Sequence, residues 1–128
     1  MNLYKEGDLG YLNMADRLAY VRSLSTKYNL KESIYYSFGV KVYAYYLRQV
    51  CKSRILEWME DQDHVRIAKE LRINSSFSLD KEGLYAFRFK PEYSIRNIER
   101  RLTHYTKQAK DFIVKIKKQD IENDFKNT

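Results

Sequence analysis

One cysteine, one proline, four glycines and two histidines in 128 residues are few, and each shortage excludes something. Cys51 alone cannot close an internal disulfide, so the fold must rest on packing, and a reducing compartment is expected. Two histidines and one cysteine offer no metal-ligand spacing. There is no phosphate loop, dinucleotide fingerprint or nucleophile elbow, so neither enzymatic activity nor a cofactor is expected. No apolar run approaches the roughly 18 residues of a membrane span. The opening "MNLYKEGDLGYL" has charges where a signal peptide needs apolar residues, and a soluble protein is expected. Repeats and Gly/Ser linkers are also lacking, and the length suits a single domain, 1–128.

Positive charge and tyrosine are what the chain has in excess. Twenty-four Lys and Arg against 17 Asp and Glu give a net charge of +7, which favours a polyanionic partner. The acidic residues are too many for a simple disordered basic tail. Twelve tyrosines join apolar rings to hydroxyls that seek partners, which suits subunit interfaces and half-wet surfaces.

Periodicity predicts a mainly α protein, a helical bundle with one small β-hairpin and a long C-terminal helix. Met14, Leu18, Val21, Leu24 and Tyr28 follow helical spacing behind Asn13, a candidate cap, and lie within an N-terminal helical arm, 1–30. Asn29 and Glu32 form a second capping-box pattern. Val40, Ala44, Leu47, Cys51, Ile55 and Trp58 then form a helical stripe, and "HVRIAKELRIN" reads as another short helix, giving central helices over 31–74. Alternation along Val40–Tyr46 supports a strand there instead, but the length of the stripe favours helix. Gly39, in mid-helix, then marks a close approach of helices. Within 75–90, Phe77 and Leu79 are joined through "DKEG" to Tyr85, Phe87 and Phe89 as a hairpin, with Gly83 left-handed. Pro91 ends the strand and Ser94 caps a long basic helix, 94–120, whose Ile95, Ile98, Leu102, Tyr105, Ala109, Phe112 and Ile116 repeat at spacings of three and four.

The basic residues fall into two clusters. Lys41, Tyr45, Arg48 and Lys52 share one face of the central helix. Between Ile95 and Lys118 stand Arg96, Arg100, Arg101, Lys107, Lys110, Lys115, Lys117 and Lys118 against Glu99 and Asp111. Such clusters grip phosphates without reading sequence. Tyr35 and Tyr46 are expected in the core, Tyr36, Tyr43 and Tyr45 against a subunit or ligand, and Cys51 as a small core residue.

The stretch "LSTKYNLKESIYYSFGVKVYAYYLR" resembles a segment of the major coat proteins of rod-shaped and filamentous archaeal viruses, the rudiviruses and lipothrixviruses. Tyr28, Ile34, Tyr35, Phe38, Gly39, Lys41, Val42, Leu47 and Arg48 carry the match. The resemblance implies a structural nucleocapsid protein that binds double-stranded DNA without sequence specificity and self-assembles into a helical virion, with or without a second related coat protein. Its N-terminal helical region would wrap the duplex, which adds Arg17, Arg22 and Lys27 to the DNA-contacting set. Two other readings remain. In a winged-helix dimeric regulator, "RILEWMEDQDHVRIAKELRIN" supplies the first two helices and the hairpin is the wing, although "NSSFSLDKEG" leaves little room for a recognition helix. A helical adaptor would use its tyrosines to bind protein.

Overall fold

The computed structural model describes residues 3–49, 53–73 and 83–126. A 3-10 turn, Leu9–Tyr11, leads into helix α1, Met14–Lys27. Strands β1 (Leu30–Ser37), β2 (Val40–Leu47), β3 (Arg54–Met59), β4 (Val65–Ile73) and β5 (Leu84–Glu92) follow, and helix α2, Ile95–Lys126, ends the chain. The strands form one antiparallel sheet in the order β1-β2-β3-β4-β5. The expected mainly α bundle is therefore overturned: helix and strand contribute in nearly equal parts, and the predicted central helices over 31–74 are four strands.

The physical cause lies in the turns. Ser37 pairs with Val40, and between them Phe38 and Gly39 both have positive φ, 49° and 80°. That is the geometry of a two-residue hairpin turn whose twist matches its strands. Gly39 is thus a turn residue, and a Cβ there would meet nothing within 4 Å, so no helix packs against it. Asn29, read from sequence as a helix start, instead has φ 52° directly after the end of α1. It takes the left-handed conformation that terminates helices and that asparagine tolerates. The stripe Val40, Ala44, Leu47, Ile55 and Trp58 mixes the two faces of the sheet: Leu47, Ile55 and Trp58 belong to the core beneath the helices, whereas Val40 and Ala44 alternate onto the opposite face of β2. Apolar residues then occupy consecutive positions, and a helical subset can always be picked out of them.

On one face of the sheet Tyr43, Tyr45, Leu47, Leu56, Trp58 and Ile67 join Val21 and Leu24 of α1 and Ile98, Leu102, Tyr105 and Phe112 of α2 in a single core. On the other face Val42 and Ala44 are also buried. The Arg54 guanidinium bonds Glu57 at 2.6 Å and the Tyr35 hydroxyl, spanning from β3 over β2 to β1. Ala44, opposite Ser33 and Glu57 in the ladder, is small enough to lie beneath it. Tyr43 and Tyr45 are hence core residues, which corrects the expectation that they face a ligand. Tyr35 and Tyr46 are half-buried, and Tyr36 is exposed.

The other predicted elements fare unevenly. α1 starts as expected, the Asn13 side chain accepting from Asp16 N at 2.9 Å. "HVRIAKELRIN" supplies β4, with Val65, Ile67 and Leu71 buried at alternate positions. Tyr85, Phe87 and Phe89 do lie in a strand, but its ladder partner is β4. The predicted partner around Phe77 and Leu79 lies outside the described residues, as do Cys51 and Lys52. Pro91 falls inside β5, where an edge strand tolerates its missing N–H.

Candidate nucleic-acid interface

α2 begins where Pro91 and Ser94 suggest: Asn97 N donates to Ser94 Oγ at 3.4 Å, and Asn97 Nδ2 to Glu92 Oε1 at 3.2 Å. Ile98, Leu102, Tyr105, Ala109 and Phe112 form its buried stripe. The Tyr105 hydroxyl donates to the carbonyl of Ala68, which ties the helix to β4. With 32 residues α2 is about 48 Å long at the usual rise, against roughly 30 Å for a nine-residue strand. Beyond Ile116 its described side chains are exposed.

The surface turned away from the sheet is basic. Arg96, Arg100, Lys107 and Lys118 are exposed; offsets of 4, 11 and 22 residues bring them close to whole turns, so they form one line about 33 Å long. Lys110, Lys115 and Lys117 flank it. Among the described residues none of these seven takes part in an ion pair. The one carboxylate on the first turns, Glu99, points away from them. It accepts from Lys27, from the Tyr28 hydroxyl at 2.9 Å and from the Tyr20 hydroxyl at 3.3 Å. Burial pulls its pKa upward, but the bonds from Lys27 and the two tyrosines outweigh it and hold the carboxyl below its ordinary value.

Beside the line, a groove of about 500 Å³ runs between α2 and the β4–β5 pair, lined by Lys69, Lys90, Arg100, Arg101, His104 and Gln108 among others. Its acids are already engaged: Glu92 pairs with Lys90 at 3.3 Å and Glu70 with Arg72 at 2.8 Å. Arg101 donates to the Lys69 carbonyl at 3.1 Å, and among the described residues Lys69 and Arg100 have no ion-pair partner there. The buried Oε1 of Gln108 has no hydrogen-bond partner among the described residues. Lys69 and Lys90 were not among the residues singled out from sequence. The odd-numbered alternation of β4, shared with Ile67 and Leu71, is the signal that places Lys69 on the helix side.

Of the ten residues expected to touch DNA, Lys52 lies outside the described residues and the other nine separate into two groups. Arg96, Arg100 and Lys107 lie together on the open face of α2. The three of α1 are bound internally. Arg17 caps the carbonyls of Gly10, Leu12 and Asp61 at 2.7, 2.9 and 3.1 Å, Arg22 pairs with Glu32 at 3.0 Å, and Lys27 pairs with Glu99. Tyr45 is buried, its hydroxyl donating to Glu32 at 2.9 Å, and desolvation with that bond raises its pKa strongly. Lys41 lies over the Tyr43 ring, 5.5 Å from its centroid, and Arg48 reaches the Leu30 carbonyl at 3.4 Å. The shared helical face proposed for Lys41, Tyr45 and Arg48 does not exist, because β2 separates them along a strand.

A second polar cluster serves the fold. Asp63 accepts from the Tyr4 hydroxyl at 2.6 Å and lies 2.8 Å from His64 Nδ1, bonds that hold its carboxyl below the usual range and fasten the N-terminal segment to the β3–β4 connection. No group of three or more His, Cys, Asp or Glu side chains among the described residues could hold a metal ion. No family model matches this chain, and no curated protein or solved structure matches it either.

Proposed function

We propose that this protein binds double-stranded nucleic acid, foremost DNA, through its phosphates and without sequence preference, using the outward face of α2. The observation that carries this is the line Arg96, Arg100, Lys107 and Lys118, exposed and, among the described residues, without ion-pair partners on one helix. About 33 Å of aligned cations approximates one turn of a duplex, ~34 Å. The groove beside it, with Lys69 and Arg100, suits a phosphate that lies off the line. Single-strand binders need aromatic platforms for stacking bases, and the outward line carries none among its described residues, which favours a duplex. The role is that of a binding or packaging protein, not of an enzyme. The helices on which a winged-helix regulator would depend are β3 and β4 here. The segment resembling the viral coat proteins is a β-hairpin, so a helical coat subunit draws no support from it.

Fluorescence anisotropy against several unrelated duplexes over a salt series tests the proposal. Equal affinities that fall steeply with salt are expected, at roughly 0.9 log units per log unit of salt for each phosphate contact. A large preference for one sequence, or affinity insensitive to salt, sinks it.

A further inference from the structure

We infer that two copies of this protein join through their β1 strands, making one ten-stranded sheet. β1 is an edge strand eight residues long. Its edge has no proline, and the only charges along it are Lys31 and Glu32. Edges this long and flat are ready templates for another strand unless they are blocked. Because Ser37–Val40 closes a two-residue hairpin, the odd-numbered residues of β1 bond to β2 and the backbone groups of Glu32, Ile34 and Tyr36 point outward.

The side chains select the occupant. Ile34 is 41% exposed, Tyr36 70%, and Phe38 at the tip fully so. Phe38 also holds φ 49°, a conformation that bulky residues rarely adopt. A second copy related by a two-fold axis through Tyr35 fits this pattern. Ile34 then faces Tyr36 of the second copy and Tyr36 faces its Ile34, as the hydrogen-bonded pairs that the outward backbone groups require. All four apolar side chains meet on one face. Glu32 falls opposite Phe38 and Lys31 opposite Gly39, so no like charges are opposed. That self-complementarity, in backbone phase, apolar content and charge together, argues for a copy of this chain over an unrelated strand.

Analytical ultracentrifugation of the full chain over a concentration series tests the inference, and a dimer is expected. The double variant Ile34→Lys/Tyr36→Lys sets four lysines face to face across the seam. It should raise the dimer dissociation constant by about a hundredfold or more with an unchanged circular dichroism spectrum, since both residues are exposed. Register is read separately in a Cys51→Ser background. Tyr35→Cys should cross-link copies through a disulfide, because residues at the two-fold axis lie ~4.5 Å apart in a non-hydrogen-bonded pair. Ser33→Cys, four residues out of register with its own copy, should not cross-link. A monomer at all concentrations, or a dimer indifferent to the lysine variant, overturns the inference. So does a monomer that binds uncharged, zwitterionic vesicles and loses that binding in the same variant, which would assign the patch to a lipid surface.

Discussion

Helices α1 and α2 are both basic, both amphipathic and both packed on the same face of the sheet, yet their cations do different things. Arg17, Arg22 and Lys27 of α1 end on three carbonyls, Glu32 and Glu99 respectively. Arg96, Arg100 and Lys107 of α2 end in solvent. α1 is short, 14 residues, and lies between β1 and α2, so its polar side chains reach acceptors on both neighbours. Among the described residues no element packs on the outward face of α2, where Arg96, Arg100, Lys107 and Lys118 are exposed. A basic residue at helical spacing is thus a phosphate ligand only if no internal acceptor is within reach, and that depends on neighbours that spacing cannot reveal.

The comparison breaks most sharply if the α2 line is neutralised. Arg96→Gln/Arg100→Gln/Lys107→Gln removes three contacts, so the salt slope should flatten by roughly 2.7 and duplex affinity near 0.1 M salt should fall by two to three decades. The circular dichroism spectrum should not change, because all three are exposed. An unaltered slope in a folded variant would place the nucleic acid on another surface.

Glu99 offers a way to blur the distinction. Replacing it by alanine strips an acceptor from Tyr20, Tyr28 and Lys27 together. Leaving half-buried hydroxyls without their partner should cost about 1–2 kcal/mol in chemical denaturation. The same change frees Lys27 and deletes a negative charge, so binding should strengthen and the salt slope steepen by up to about one. A variant as stable as the parent would show that Glu99 does not join the helices.

Both helices were legible in the sequence: Asn13 with Asp16 marked one start, Ser94 the other, and seven apolar positions at spacings of three and four traced α2. The sheet was not. Its clue, the alternation of Val40, Val42, Ala44 and Tyr46 with Lys41, Tyr43 and Tyr45, was outweighed by a stripe that takes residues from both faces of the sheet and matches helical spacing by accident. Phe38-Gly39 hid the turn, since Asn-Gly is the usual signal for that geometry and phenylalanine seldom takes φ 49°. Of the candidate interface, the α2 residues were readable because an exposed helix face needs only periodicity. The engagement of Arg17, Arg22 and Lys27 was not, because Glu32, Asp61 and Glu99 are 10, 44 and 72 residues away from their partners.

A smaller effect follows from pH. The Glu99 carboxyl has a folded pKa below its ordinary 4.5, so the folded protein takes up this proton less readily than the unfolded chain. The stabilisation is therefore complete above the ordinary value and is lost as pH falls through the lowered one. Thermal melts from pH 6 down to about pH 3 should show the parent losing stability more steeply than Glu99→Gln, with the two curves converging at the acid end. Parallel curves would remove Glu99 from the acid response.

The smallest effect is expected where the sequence pattern looked most like a DNA-wrapping arm. Arg22→Gln/Lys27→Gln deletes two cations of α1, both in exposed pairs, and exposed ion pairs contribute little to folding. Glu32 retains the Tyr45 hydroxyl, and Glu99 retains Tyr20 and Tyr28, so neither carboxylate is left bare. The melting curve should nearly overlay that of the parent. In the bound state these side chains would have to abandon Glu32 and Glu99 before reaching a phosphate, exchanging one anionic partner for another at no net gain. The salt slope should accordingly stay within experimental scatter, while the two fewer positive charges lower affinity only through the long-range field, which salt screens within about 10 Å at 0.1 M. If this double variant flattens the slope as much as two α2 substitutions do, the distinction between committed and free cations fails and both helices line the duplex.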